Sequence, residues 1–429
     1  MKAKVIYFNL MFLILLFPYL QSVLNFSNVK PLQGAITMSE DTIFTFKEWF
    51  SGHYQEKKEA FLNENFGYRN IFVRLNNQLA YWMFNKAKAN GIVVGKENYL
   101  YEKPYIESYF GKNFIGEDAW KNKLNKLKFI QDSLAKLNKT VILIFSPGKA
   151  SFYSEYIPDS LKSEKKVSNY DYASLLANKM GINAIDFNSY FKNQKNKSLY
   201  ALYPKLGIHW SHYGAMLAAD SIIKYIETKR NISMPKLYWD TIETTDKPKY
   251  TDADIADGMN LLFDIKSNIL AYPKNIKIKY DEGNQKPSLL VISDSYYWGI
   301  CNFRFTECFS ENKFWYYNKQ VFPESFTNEL KVEDLNLKEE LKKIDVILIM
   351  STESNLHSVG WDFIENVYNA LTKGFTPKSR EFWNEVKRIK QNILNNDEWK
   401  ENIQKKAIER GLTLDSMMTL DAIWMIQNQ

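Results

Sequence analysis

After Lys2 and Lys4 the chain runs apolar from Val5 to Leu24, interrupted only by Asn9, Pro18, Gln21 and Ser22. A positive flank before a hydrophobic run is the order of an export signal, and about twenty apolar residues suffice to cross a bilayer as a helix. The best cleavage position, before Val23, has Ser22 in place but Leu20 two residues earlier, where a small side chain is wanted. Residues 1–25 are therefore expected to persist as a signal-anchor. The positive-inside rule keeps Lys2 and Lys4 in the cytoplasm and puts everything after about residue 25 outside.

From about 40 to 90 the pattern is helical, with Phe61, Phe66, Ile71, Leu75 and Leu79 at helical spacing and Gly67 as a break. Beyond this lead-in, short apolar runs alternate with helical periods. Ile92–Val94 ends at Gly95, and Val141–Phe145 ends at Ser146-Pro147-Gly148; both suit buried strands. Asn183–Phe187, Leu289–Ile292 and Val346–Met350 read as further strands, and Glu117–Leu137, Tyr170–Lys179 and Tyr213–Thr228 as helices. Such alternation predicts an α/β domain over 91–375, a mostly parallel sheet covered on both faces. The stretch 230–287, with Pro235, Pro248, Pro273 and many charges, interrupts the alternation and reads as an insertion over one end of the sheet. From 376 to 429 the chain is Lys/Glu-rich and helical through Trp383, Ile389, Ile393, Trp399 and Ile403, a C-terminal helical extension.

Composition narrows the classes. Over 429 residues, 45% apolar and 15% aromatic content excludes a disordered chain. The 56 basic and 49 acidic side chains leave +7, but the lysines are scattered among acids, which argues against nucleic-acid binding and suits work near an anionic membrane or glycan. Cys301 and Cys308, spaced C-x6-C, match neither a zinc nor a thioredoxin motif; they are core thiols or a pair in an oxidising compartment. No metal or cofactor is read from the sequence.

Three segments put polar groups just beyond a predicted strand, where open α/β sheets hold their ligands. Ser293-Asp294-Ser295 follows Leu289–Ile292. A serine on a strand-to-helix turn presents its hydroxyl and its own N–H at one spot, fit to attack a carbonyl, although an N-cap serine has the same local sequence. Gly207-Ile208-His209-Trp210-Ser211-His212 holds two of the four histidines and leads into a helix. Met350-Ser351-Thr352-Glu353-Ser354-Asn355 masses polar residues after the last strand. Tyr296, Tyr297 and Trp298, beside the serine, suit either sugar stacking or the core.

The order Phe66-Gly67-Tyr68-Arg69, Val94-Gly95-Lys96 with Leu100-Tyr101-Glu102, Ser146-Pro147-Gly148-Lys149 with Tyr153 and Pro158, Asp186, Tyr203-Pro204-Lys205 before His209-Trp210, and Asp294-Ser295 resembles the SGNH-hydrolase-like domain of the alginate O-acetyltransferase family. The likeness spans about residues 60 to 365. It implies a three-layer SGNH-like fold, Ser295 as nucleophile and His209 as general base. It also implies acetyl transfer to an exported polysaccharide from a membrane-bound O-acyltransferase, by a single-pass inner-membrane protein whose catalytic domain is periplasmic.

In that family the segment reads Asp-x-His-Trp, whereas this chain has Gly207 in place of the aspartate. In a Ser-His-Asp triad the acid holds the imidazole tautomer, and its loss costs about 10⁴ in turnover. Another group must orient His209, or the domain is a silent scaffold; Asp186, Asp294 and Glu353, near predicted strand ends, are the candidate orienting or supporting groups. A Ser-His site would equally serve a secreted esterase. If the orienter is weak, Gly207→Asp is expected to raise turnover.

Overall fold

The structure, a computed structural model, describes residues 2–24, 26–34, 39–372, 380–410 and 412–427. The first turn of the predicted C-terminal extension, 376–379, and the side chain of Trp383 lie outside the described residues.

The apolar run forms one helix, Lys2–Leu24, and its Ala3–Leu24 portion is long and apolar enough to cross a membrane. The lead-in folds as helices Phe46–Ser51, His53–Asn65 and Arg69–Phe84, with the break at Gly67 as expected. That break requires glycine, because a Cβ there would lie 1.9 Å from the Pro18 carbonyl oxygen: the turn packs directly on the backbone of the first helix.

Strands are numbered in chain order. β1 (Ile92–Val94) and β2 (Leu100–Glu102) pair antiparallel as a separate ribbon, so Ile92–Val94 is not a strand of the main sheet. At three residues, of which only Val94 is buried, and turned back at Gly95, it is too short to cross the core. β3 (Thr140–Ser146) and β4 (Ala184–Asp186) belong to the central sheet. Within 230–287, β5 (Lys236–Tyr238), β6 (Thr241–Thr245), β7 (Leu270–Lys274) and β8 (Lys277–Lys279) make two antiparallel pairs, β5 with β8 and β6 with β7, outside it. β9 (Leu289–Ser293), β10 (Asn312–Tyr316), β11 (Gln320–Phe322) and β12 (Val346–Thr352) complete the central sheet, ordered β11-β10-β9-β12-β3-β4. All its neighbours are parallel except β10 and β11.

β9 and β12 are buried at every position, and β3 at all but Thr140. Side chains alternate between faces along a strand. Ile142, Ile144, Val291 and Leu348 therefore pack with the helix His212–Arg230, while Leu143, Phe145, Ile292 and Ile349 pack with helices Glu117–Ala135, Asn169–Lys179 and Phe363–Thr372. The result is the helix–sheet–helix sandwich that continuous apolar runs predict. The C-terminal helices Arg380–Leu394, Asp397–Glu409 and Leu414–Gln427 share a small core of their own, including Ile389, Ile393, Ile403 and Met417. Cys301 and Cys308 are free thiols, Cys308 buried and pushed up to about 12 by its burial.

Candidate active site

Parallel strands deliver their carboxyl ends to one edge, and the turns after β3, β9 and β12 meet there. After β9, Asp294 caps the turn that carries Ser295, accepting from Tyr296 N at 3.2 Å. Its other carboxylate oxygen accepts from Thr352 N (2.9 Å), Thr352 Oγ1 (2.8 Å) and Asn355 Nδ2 (3.0 Å). The polar segment after β12 thus anchors the serine turn through Asp294.

The His209 loop is held from beneath by buried side chains. Lys149, at the start of a short helix after β3, donates from Nζ to the carbonyls of Lys205 (2.8 Å) and Gly207 (2.5 Å). Tyr203 donates its hydroxyl to Pro147 O at 2.7 Å, and Tyr296 to Ile208 O at 2.6 Å. So held, His209 Nε2 lies 2.8 Å from Ser295 Oγ. His209 Nδ1 lies 2.6 Å from Oδ2 of Asp254, the first residue of the short helix Asp254–Gly258. Asp254 Oδ1 accepts from Ile208 N and Ile255 N, both at 2.8 Å. A carboxylate only accepts, so the proton sits on Nδ1 and Nε2 is free to accept from the serine hydroxyl.

The structure brings Ser295 and His209 together across 86 positions and joins to them an acid the sequence reading missed. None of the three carboxylates expected near the imidazole is its hydrogen-bond partner. Asp186 caps the helix Phe187–Gln194 through Ser189 N and accepts from Tyr170 Oη. Glu353 is buried, accepting from Ser151 Oγ and Asn188 Nδ2. Asp294 supports the serine turn instead of the histidine. Asp254 lies within 230–287, among many acids, and no spacing singled it out; its preference for a helix start was the one local signal.

Gly207 explains the exchange. A Cβ at 207 would lie 2.6 Å from Thr251 O and 2.9 Å from the carbonyl carbon and oxygen of Asp252. The backbone before Asp254 therefore presses against Gly207, and that approach carries the carboxylate to Nδ1. The expectation that Gly207→Asp would raise turnover assumed a weak orienter; with Asp254 on Nδ1, the new side chain would instead collide with the segment that supplies the acid. Tyr296 and Tyr297 are fully buried and Trp298 packs on Phe314 and Phe322, so this trio serves the core and not sugar stacking.

Burial pulls the His209 pKa down, but the hydrogen bond and charge of Asp254, with the charges of Asp294 and Glu102, outweigh it and hold the imidazole above its ordinary value. Burial drives Lys149 down to about 7 despite the nearby charges of Asp254, Glu102 and Asp252. Burial pushes Asp252 up to about 7, although Tyr272 donates to it at 2.8 Å. His212, enclosed by Tyr250, Tyr272 and Phe303, is pushed down to about 4 by burial. Among the described residues no cluster of metal-ligating side chains occurs.

A mostly parallel sheet carries a serine, a histidine and an aspartate hydrogen-bonded in series at its carboxyl edge, the geometry that nucleophilic catalysis by a serine requires. Residues 92–254 match the family described as SGNH hydrolase-like domain, acetyltransferase AlgX. The match begins at β1 and ends on Asp254. Solved structures similar in outline include the O-acetyltransferase domain of Pseudomonas putida AlgJ, at 15% identity and a TM-score of 0.41 over 65% of this chain and 99% of that one. Bacillus cereus PatB1 has 14% identity and 0.38 over 62% and 96%, and Pseudomonas aeruginosa AlgX 13% and 0.36 over 61% and 55%. No curated protein matches the chain in sequence.

Proposed function

We propose that the chain is an O-acetyltransferase that modifies an exported polysaccharide through Ser295, His209 and Asp254. The observation that carries this reading is the hydrogen-bonded series from Ser295 Oγ through both ring nitrogens of His209 to Asp254. Ser295 Oγ attacks the acetyl carbonyl of the donor while His209 Nε2 takes its proton, and the Ser295 backbone N–H helps hold the oxyanion. Collapse expels the donor's leaving group, which takes that proton from His209. A polysaccharide hydroxyl then gives its proton to Nε2 and attacks the acetyl-serine; its collapse returns the proton to Ser295 and releases the O-acetyl sugar.

The acyl donor in this reading is a membrane-bound O-acyltransferase. The helix Lys2–Leu24 anchors the chain once in the inner membrane, with the SGNH-like domain in the periplasm. The departure at Gly207, which favoured a silent scaffold, loses its force because Asp254 supplies the acid.

The full chain in detergent or vesicles is expected to hydrolyse an activated acetyl ester slowly, and faster with an oligosaccharide acceptor that gains O-acetyl groups. Ser295→Ala abolishes both. Hydrolysis unaffected by any acceptor would mark an esterase, and turnover surviving in Ser295→Ala would end the assignment. Fractionation tests the anchor: a soluble periplasmic form beginning near Val23 would show a cleaved signal.

A further inference from the structure

The helix Arg69–Phe84 is amphipathic in the reverse sense. Its inward face holds Arg74, Asn77 and Gln78 beside Ala80 and Tyr81, and its outward face holds Ile71, Phe72, Leu75, Leu79, Trp82 and Met83. Arg74 is buried and donates to the carbonyls of Lys30 (2.9 Å) and Pro31 (2.7 Å). Asn77 donates to Met259 O at 2.9 Å, and Gln78 accepts from Phe263 N at 3.0 Å. These buried polar groups lock the helix in this rotation, since turning it over would leave them without partners in water-free packing. The apolar side chains so displayed are 39% to 68% exposed and contiguous along the helix. The two preceding helices, Phe46–Ser51 and His53–Asn65, bury no residue at all, with Phe46 and Phe50 fully displayed. Continuous exposed apolar surface of this kind marks an interaction face.

We propose that this outward stripe lies in the interfacial layer of the membrane that the N-terminal helix enters, so that the lead-in seats the SGNH-like domain on the bilayer surface. The occupant is identified by what the stripe adjoins. Tyr68, which precedes the helix, donates from its N–H to Gln21 Oε1 at 3.1 Å, stacks on Phe17 at 5.1 Å, and accepts from Ser27 Oγ at 3.0 Å. Gly67 touches the backbone of Pro18. Pro18 lies about 9 Å before the end of the first helix at 1.5 Å per residue, which puts this junction below the helix end, at interfacial depth. Trp82 is the aromatic type that favours that layer, and the exposed Lys86 and Lys88 follow at the far end, where cations meet lipid phosphates. An amphipathic helix with such a face lies in the plane of the interface. The inference goes beyond the acyl-transfer reading and requires only that the first helix stays in the bilayer.

The test uses the full chain in a Cys301→Ser, Cys308→Ala background, with a nitroxide label on one introduced cysteine: Leu75→Cys, Leu79→Cys, Met83→Cys, or Lys136→Cys as an exposed control on the domain. In vesicles of phosphatidylethanolamine and phosphatidylglycerol, labels on the stripe are expected to collide more with oxygen, which concentrates in lipid, than with a water-soluble nickel chelate. The order reverses at Lys136. Chelate access at the stripe equal to that at Lys136 overturns the proposal. Protection from both reagents also overturns it, because a second copy then covers the face. Thermal melting of each labelled chain confirms the fold independently of catalysis, and persistence of the first helix is checked by the mass of the purified protein.

Discussion

Two helices of comparable length bury opposite kinds of side chain. His212–Arg230 turns Ala215, Met216, Ile222, Ile223 and Ile226 onto the central sheet and its charges outward. Arg69–Phe84 turns Arg74 and Gln78 inward and shows Leu75, Leu79 and Trp82 to its surroundings. An apolar stripe therefore says that one face of a helix meets something apolar, not that it meets its own core. Around Ser295 and His209, buried Lys149, Tyr296 and Asp294 hold the loops in place, while the lead-in uses its buried polar groups to fix which face is left outside.

The largest contrast is catalytic. Asp254→Asn keeps the side-chain shape but no longer holds the Nδ1–H tautomer, and turnover of an acetyl ester is expected to fall by about 10⁴. Steady-state kinetics checks this, and a fall of less than tenfold would mean that another group orients His209. The same variant leaves lipid contact of the lead-in unchanged.

Stability separates the two helices next. Ile222→Ala, on the face against the sheet, is expected to cost about 2–5 kcal/mol. Leu75→Ala, on the outward face, is expected to stay within about 0.5 kcal/mol in detergent-free solution of the folded domain. Denaturant melts of the two variants decide it; equal costs would mean that the outward stripe is packed after all.

Gly207→Asp is expected to destabilise by about 1–3 kcal/mol through overpacking against Thr251 and Asp252, and to lower acyl-ester turnover as Asp254 is pushed away. Kinetics and melting of one preparation measure both. A gain in turnover would show that the crevice can accept a second acid in place of Asp254.

The smallest effect is in pH dependence. His209 must be neutral to accept the serine proton, and its pKa is raised, so the acid limb of kcat/KM is expected above the ordinary histidine range near 6.5. Removing one contributing charge with Glu102→Gln shifts that limb to lower pH and leaves the triad intact. By the same sign, the favourable surroundings of the imidazolium stabilise the fold fully below about 6.5 and cease to do so as pH rises through the raised value. A limb that does not move would show that Glu102 is too screened to act on His209.

The linear pattern determined the parts that depend on local composition. Val141–Phe145, Leu289–Ile292 and Val346–Met350 were legible as core strands because a strand buried on both faces must be apolar throughout. β10 and β11 were not, since a strand reading Asn-Lys-Phe-Trp-Tyr and an edge strand of three residues lack that continuous aliphatic signature. Ile92–Val94 has the signature but is too short to reach the sheet. Ser295 could be placed in advance because it follows β9 at the carboxyl edge, where a parallel sheet gathers its loops. His209 instead lies in a loop beyond the helix Phe187–Gln194, brought to that edge by Lys149 and Tyr296.

Only the tertiary structure decided which acid meets His209 and which way the lead-in stripe faces. Asp254 reaches the imidazole because the backbone at 251–252 settles against Gly207, a close approach set by packing of chain segments 45 positions apart. The stripe faces outward because Arg74 and Gln78 find backbone partners at Pro31 and Phe263, far from them in sequence. Both outcomes turn on non-local contacts that satisfy buried polar groups, and periodicity within one segment carries no record of them.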